Sequence, residues 1–556
     1  MTESAPASAD RRPWLRWARI AVVVGGAGVL LAHVVWMWIG EFHSQDGPAH
    51  LYAASILRRL LDGDTTLLSR VYAINLQPDP NWITYPVLSA FLRANPPRHA
   101  ELAVVTLLVV GLAGALYYAL TATGRAGGPV AILGFPVAVG WALHTGLYNF
   151  TASVAVMLAI VGYYLRVSDR LNAWRILLLA SLLVLLYFSH PLSLVTAFAA
   201  LGVSGLSALI ADARRERSWR LAAQRFAGLV LAVMPAFVLL MIFLSDPGTT
   251  RHAVPRDVWQ SFVNTILFRW PIQAVTRDDI GWATTVAVAT WITVVALLGR
   301  KVVRRDWNRW DVLLSLPLVT GTGAVLLPDR LAGGTILQPR LALFAILTVL
   351  LWIGVASAGA PLAQGLAVAL GVVGVVVMVG LLAVRIEPYR RIDAAVAEVL
   401  STADAVEPGT LILGAVSSRA PNLSPVIPMV HITDLLAVES GAISISTLDA
   451  GSGYGPIRYR RRFDPLPALR GLPRNRTHGR DVEPEAWANM VDRYTSVTGR
   501  TFDYLLLVGY DLRPVEIQRY EAAGFRVVHH STPTGLVWLF DVTPVAPGAQ
   551  TAGGAL

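Results

Sequence analysis

Runs of about twenty apolar residues recur along residues 20–384, and this recurrence decides most of what the chain can become. A helix needs about 20 such residues to cross roughly 30 Å of hydrocarbon, and only helices and closed barrels satisfy their backbone groups there. Candidate spans fall at 20–39, 101–121, 129–145, 148–165, 175–189, 191–210, 226–244, 281–299, 311–327, 341–357 and 361–384, about eleven in all. Charged residues make up 15% of the chain, against roughly 25% in soluble proteins. The expected class is a polytopic α-helical membrane protein. The first run is long and no small-residue cleavage site follows it, so it reads as a span and not as a cleaved signal peptide.

Arginine placement orients the spans. With the N-terminus inside, the inner segments are 11–19, 123–128, 166–175, 214–225 and 300–309, and each carries arginine. The short outer turns "HTGLYN" (144–149) and "SHPLS" (189–193) carry none. Eleven spans then put the C-terminus outside. The net charge of +10 is explained by this distribution and does not call for nucleic acid. Cysteine is absent, which removes disulfides, thiolate catalysis and cysteine-type zinc sites. Arginine supplies all the basic residues but Lys301, and the Ala, Val, Gly and Leu usage suggests a GC-rich bacterial genome. Localisation is therefore expected in a bacterial inner or plasma membrane.

The expected organisation is a cytoplasmic tail (1–19), a membrane domain (20–384) with a long first outer loop (40–100), an extracytoplasmic α/β domain (385–546) and a disordered tail (547–556). In the first loop, Leu51, Ala54, Ile56, Leu57, Leu60 and Leu61 form an apolar stripe beside Arg58 and Arg59. The spacing predicts a helix over 48–64 lying in the membrane interface, and a second short amphipathic piece covers 81–95. Beyond 385 the charges return and β-like runs appear at 410–416, 442–447, 504–510, 525–530 and 535–542, with helical stretches near 389–404, 429–439 and 484–497. Strands alternating with helices predict an α/β domain.

The topology gathers polar residues at the outer ends of spans: His43, Asp46 and His50, then His144, Tyr148 and Asn149, then Ser189 and His190. Polar groups beside apolar spans are costly to bury unpaired, so they line a cavity or pair with one another. Asp46 precedes Gly47 and Pro48, which leaves two roles open: an N-cap with proline in the first turn, or a general base. His43, Asp46 and His50 are also a candidate divalent-metal set, since histidine and carboxylate suit such ions, but their spacing matches no metal motif. Asp79, Asp278 and Asp279 are weaker acids, and Arg458, Arg460, Arg461 and Arg462 are candidates for touching lipid phosphate or an anionic glycan.

The stretches "SQDGPAHLY" (44–52) and "LPDRLAGGTILQPRLALF" (327–344), set in this layout of spans, first outer loop and C-terminal outer domain, resemble the GT-C superfamily of integral-membrane glycosyltransferases. These take sugar from a polyprenyl phosphate or pyrophosphate. The resemblance implies inverting transfer with Asp46 as base. It also implies a cation for the leaving phosphate: Arg340 first, then Arg330, or a divalent metal such as Mg or Mn. His50, Tyr148, Asn149, His190 and His144 would orient substrate hydroxyls. The implied partners are the bilayer, a polyprenyl-phosphate-linked sugar, and a glycan, lipid or protein acceptor. Two other classes share the layout: a transporter or flippase of lipid-linked glycans, which needs a polar path through the membrane, and a non-catalytic membrane-anchored envelope protein.

Overall fold

The computed structural model describes residues 13–40, 42–216, 219–245, 257–330, 335–357, 361–445, 447–451, 455–465 and 483–542. The expected tail 547–556 lies outside the described residues, as does most of the 1–19 segment. Of the latter, the described part is already helical from Pro13. The chain divides into two compact units, Met1–Ile39 with Val105–Ile386, and Gly40–Val104 with Glu387–Leu556. The first outer loop therefore groups with the C-terminal part of the chain, where the sequence had assigned it to the membrane domain.

The first unit is helical and multi-pass. Among the described residues, nine helices are long and apolar enough to cross a membrane: Pro13–Ile39, Pro97–Leu120, Gly127–His144, Tyr148–Arg170, Pro191–Arg214, Trp219–Leu244, Asp279–Arg304, Leu337–Ala356 and Pro361–Ala405. Leu337–Ala356 is apolar all round and almost wholly buried, as expected of a central helix. Trp219–Leu244 exposes Leu231, Phe237, Met241 and Ile242, a surface that suits lipid and not water.

Two expected spans differ. The run at 175–189 forms Ala173–Ser189, a shorter apolar helix. The run at 311–327 is broken into a 3₁₀ turn, Arg309–Leu314, and a twelve-residue helix, Ser315–Leu326. The cause is polar. Asn308 and Asp311 close a capping box, and Asp311 also accepts from Lys301 Nζ at 2.9 Å and Trp352 Nε1 at 3.2 Å. The chain's one lysine thus ends in a buried ion pair.

A second break carries a larger charge arrangement. The Gly127–Ala138 helix contains Pro136 and ends before Gly140. A Cβ on Gly140 would stand 2.2 Å from the Pro271 carbonyl oxygen, so only glycine fits. Arg385 donates to the Val139 carbonyl at 2.6 Å, to the Ile272 carbonyl at 3.0 Å and to Asp279 at 3.0 and 3.2 Å. Asp279 in turn accepts from the Ala274 and Val275 amides, both at 2.9 Å. One ion pair therefore satisfies the backbone groups that two helix breaks set free, as buried irregular backbone requires. Asp279 is fully buried.

Among the described residues the second unit contains seven strands: β1 (Tyr72–Ile74), β2 (Leu411–Val416), β3 (Ile443–Ser444), β4 (Ile457–Tyr459), β5 (Tyr504–Val508), β6 (Phe525–His530) and β7 (Val537–Val542). Five form one sheet in the order β3-β2-β5-β7-β6. β2 pairs in parallel with β3 and β5, and β7 pairs antiparallel with β5 and β6. Helices Ile432–Ser440, Pro484–Thr498 and Pro514–Ala522 supply the connections. β5 is buried throughout, which explains its unbroken apolar sequence.

β1 pairs with β4, matching Tyr72 to Tyr459, so the first loop and the C-terminal part of the unit share a ladder. Helix Gly47–Leu61 is a core element here and not an interfacial one. Its Leu51, Ala54, Ile56 and Leu57 are buried, and it packs on helices Ile432–Ser440 and Thr84–Phe91. Protein covers the first part of the apolar stripe, while Leu61 at its end is exposed. Glu398 accepts from Ser531 Oγ at 2.7 Å, Thr534 Oγ1 at 2.8 Å and the Leu536 amide at 3.0 Å, holding the chain before β7.

Candidate functional site

Asp46 occupies the N-cap position of helix Gly47–Leu61, yet its side chain makes no capping bond. Ser44 does that work: its Oγ accepts from the Gly47 amide at 3.0 Å. The Asp46 carboxylate is left for other partners. Gln45 Nε2 donates to Oδ1 at 3.1 Å, and His431 Nε2 stands 3.6 Å from the same oxygen. Gln45 is itself held by its Oε1, which accepts the Ile427 amide at 3.1 Å. The Nδ1 of His431 lies 3.8 Å from Asp434 Oδ2. Side-chain exposure falls from 14% at Asp46 to 4% at His431 and 2% at Asp434.

The sequence reading missed His431 and Asp434. A signal existed: "HITDLLAV" (431–438) puts a histidine and an acid three residues apart in an otherwise apolar helical stretch, so they share one face.

The other members of the first-loop group point elsewhere. His50 Nδ1 and the Tyr85 hydroxyl are 2.9 Å apart, with the rings edge to face. His43 is buried, 3.3 Å from Asp393 Oδ1. Asp393 also faces Arg98 at 3.6 Å. Among the described residues no group of three or more His, Asp or Glu side chains is arranged to hold a metal ion. The set His43, Asp46 and His50 is not brought together as metal ligands, because each side chain turns to a different protein partner.

Burial pushes the His43 imidazole below its ordinary value of 6.5, against the contact with Asp393 that raises it. Folding thus favours neutral His43. Its stability contribution is intact above pH 6.5 and is lost as the pH falls below that value toward the depressed folded value. We expect thermal stability to drop between pH 7.5 and 5.5, and His43→Gln to lessen that drop, read as the difference in melting temperature at the two pH values.

In the membrane unit, Arg340 Nη1 donates to His190 Nε2 at 2.9 Å, and its guanidinium lies over the Phe150 ring at 5.2 Å. His190 packs edge to face on the same ring. Both residues had been picked out from sequence, and the fold brings them into contact. Tyr148 and Asn149 are buried at the start of the Tyr148–Val167 helix. His144 is buried, and its Nδ1 donates to the Gly140 carbonyl at 2.8 Å, closing the short Trp141–His144 turn. Arg330 is exposed.

Of the weaker acids, Asp279 belongs to the Arg385 pair and Asp278 is exposed. Asp79 accepts from Asn75 Nδ2 at 3.0 Å. Arg460 and Arg462 donate to the Ser69 and Thr498 carbonyls at 2.9 and 3.0 Å, while Arg458 and Arg461 face outward. The units together define a multi-pass helical membrane protein whose second unit carries a mixed sheet. Comparison with protein-family models and with curated proteins returns no match.

Proposed function

We propose that the chain is a membrane glycosyltransferase of the GT-C type, moving a sugar from a polyprenyl phosphate or pyrophosphate to an acceptor hydroxyl with inversion. The observation that carries the reading is at Asp46. Its carboxylate sits where a helix cap would be expected, but Ser44 caps the helix and leaves the carboxylate uncommitted to that task. A part-exposed carboxylate at the start of a well-packed helix is a suitable general base. Asp46 takes the acceptor O–H proton, the freed oxygen bonds to the anomeric carbon, and the bond from that carbon to the donor phosphate breaks with its electron pair on phosphate.

The departing phosphate needs a cation, and the GT-C resemblance implies Arg340 for that role. Its guanidinium presents a planar fork suited to phosphate oxygens, and His190 and Phe150 hold it in place. Arg330 is a second, more exposed cation. His50, Tyr148, Asn149 and His190 remain the candidates for orienting hydroxyls. The arginine-bearing loops support an N-terminus in the cytoplasm and the second unit outside a bacterial plasma membrane.

The testing experiment supplies the purified full chain in lipid nanodiscs with a panel of polyprenyl-phosphate-linked sugars and follows release of the lipid phosphate. A charged hydrogen bond is worth about 1.5–3 kcal/mol, so Arg340→Gln should lower kcat/KM for the donor about 10- to 100-fold, with Arg340→Lys between it and the parent. An unchanged donor kcat/KM in Arg340→Gln would remove Arg340 from the phosphate role.

A further inference from the structure

We propose that His431 and Asp434 form a proton relay behind Asp46, an inference that rests on the glycosyltransferase reading and adds residues to it. The three side chains lie in line, Asp46 Oδ1 to His431 Nε2 at 3.6 Å and His431 Nδ1 to Asp434 Oδ2 at 3.8 Å. The His431–Asp434 separation tightens to a hydrogen bond with a small side-chain rotation, and the Asp46–His431 separation does so once Asp46 carries the acceptor proton; catalytic contacts of this kind are often long when no substrate is bound. Exposure falls along the row, so the substrate-facing end is Asp46 and the protected end is Asp434.

The backbone holds this row firmly. His431 immediately precedes helix Ile432–Ser440, Asp434 lies in its first turn, and that helix packs on the helix that Asp46 begins. Charged and titratable groups meet His431 from both sides: Asp46 from the facing helix and Asp434 from its own. Beyond Asp434 lie the buried phenols of Tyr52 and Tyr459, which its charge reaches. The Tyr52 oxygen accepts the Ser444 amide at 2.9 Å.

The step balances without any further reagent. Asp434 keeps the Nδ1–H of neutral His431 directed toward itself, so the Nε2 lone pair faces Asp46. The proton that Asp46 removes from the acceptor hydroxyl passes to Nε2, and Asp46 is again a carboxylate. The imidazolium is flanked by two carboxylates until product leaves, when the proton returns through Asp46 to water. Asp434 acts as a positioning residue, the role a carboxylate behind a catalytic imidazole commonly fills.

The test measures kcat and donor KM for the full chain and for Asp46→Asn, His431→Gln and Asp434→Asn, with melting temperatures beside them. Glutamine at 431 keeps a polar side chain beside Asp46 but accepts no proton. The relay predicts about a 10²-fold loss of kcat in His431→Gln, a smaller loss in Asp434→Asn, and donor KM within twofold of the parent in both. If His431→Gln does not fold, Asp434→Asn carries the same comparison. Parent-like kcat in the two relay variants, with Asp46→Asn inactive, overturns the relay and leaves the glycosyltransferase reading standing. Loss of kcat only in step with lowered melting temperature shows a structural role and also overturns it. An Asp46→Asn protein as active as the parent removes both.

Discussion

Arg385→Met should destabilise the membrane unit by about 3–5 kcal/mol, the usual cost of removing one partner from a buried ion pair. The loss has three parts. Asp279 is left charged and unpaired in a fully buried position, and the Val139 and Ile272 carbonyls lose their donors. The Gly140 and Pro271 backbones, held too close for a Cβ between them, lose the ion pair that bridges the two breaks. Thermal unfolding in detergent should show a markedly lower midpoint. Asp279→Asn placed on the Arg385→Met background should recover part of the loss, because it removes the stranded charge while keeping an oxygen for the Ala274 and Val275 amides. A parent-like midpoint in Arg385→Met would mean that the two breaks are closed by other groups.

Asp46→Asn should lower sugar transfer about 10²- to 10⁴-fold, the range a positioned general base contributes, with little change in stability. The two halves of this prediction separate the two roles that the sequence left open. Asparagine is as good an N-cap as aspartate, and Ser44 already accepts the Gly47 amide, so the helix has no need of the charge. A residue whose task was capping would leave activity intact on this substitution. A base would not, because the amide accepts no proton at neutral pH.

Much of the helical architecture was legible in the apolar runs, because bilayer thickness sets their length and little else competes with that signal. The five strands of the sheet were equally plain, since a buried central strand such as 504–508 reads as continuous apolar sequence, whereas the short β4 at 457–459 was not expected. The misread elements have a common cause in long-range polar contacts. Asp311 breaks the expected span at 311–327 by pairing with Lys301 and Trp352, and no local pattern announces partners ten and forty-one residues away. The stripe on helix Gly47–Leu61 was correctly apolar, but periodicity does not say whether lipid or protein covers it; helix Ile432–Ser440 does so here. The site was legible in the same uneven way. Asp46 stood out through its position after the first span, and Arg340 and His190 through theirs at span ends. His431 did not, because 385 residues separate it from Asp46 and only the fold makes them neighbours.

The most direct test of the account is the release of polyprenyl phosphate from a labelled lipid-phosphate sugar by the parent chain and by Asp46→Asn, measured side by side in the same nanodiscs. The account predicts turnover by the parent with at least one sugar of the panel, and a rate lower by two orders of magnitude or more in a variant that melts at the same temperature. Equal rates in the two proteins, or no release by the parent with any lipid-linked sugar, would contradict it.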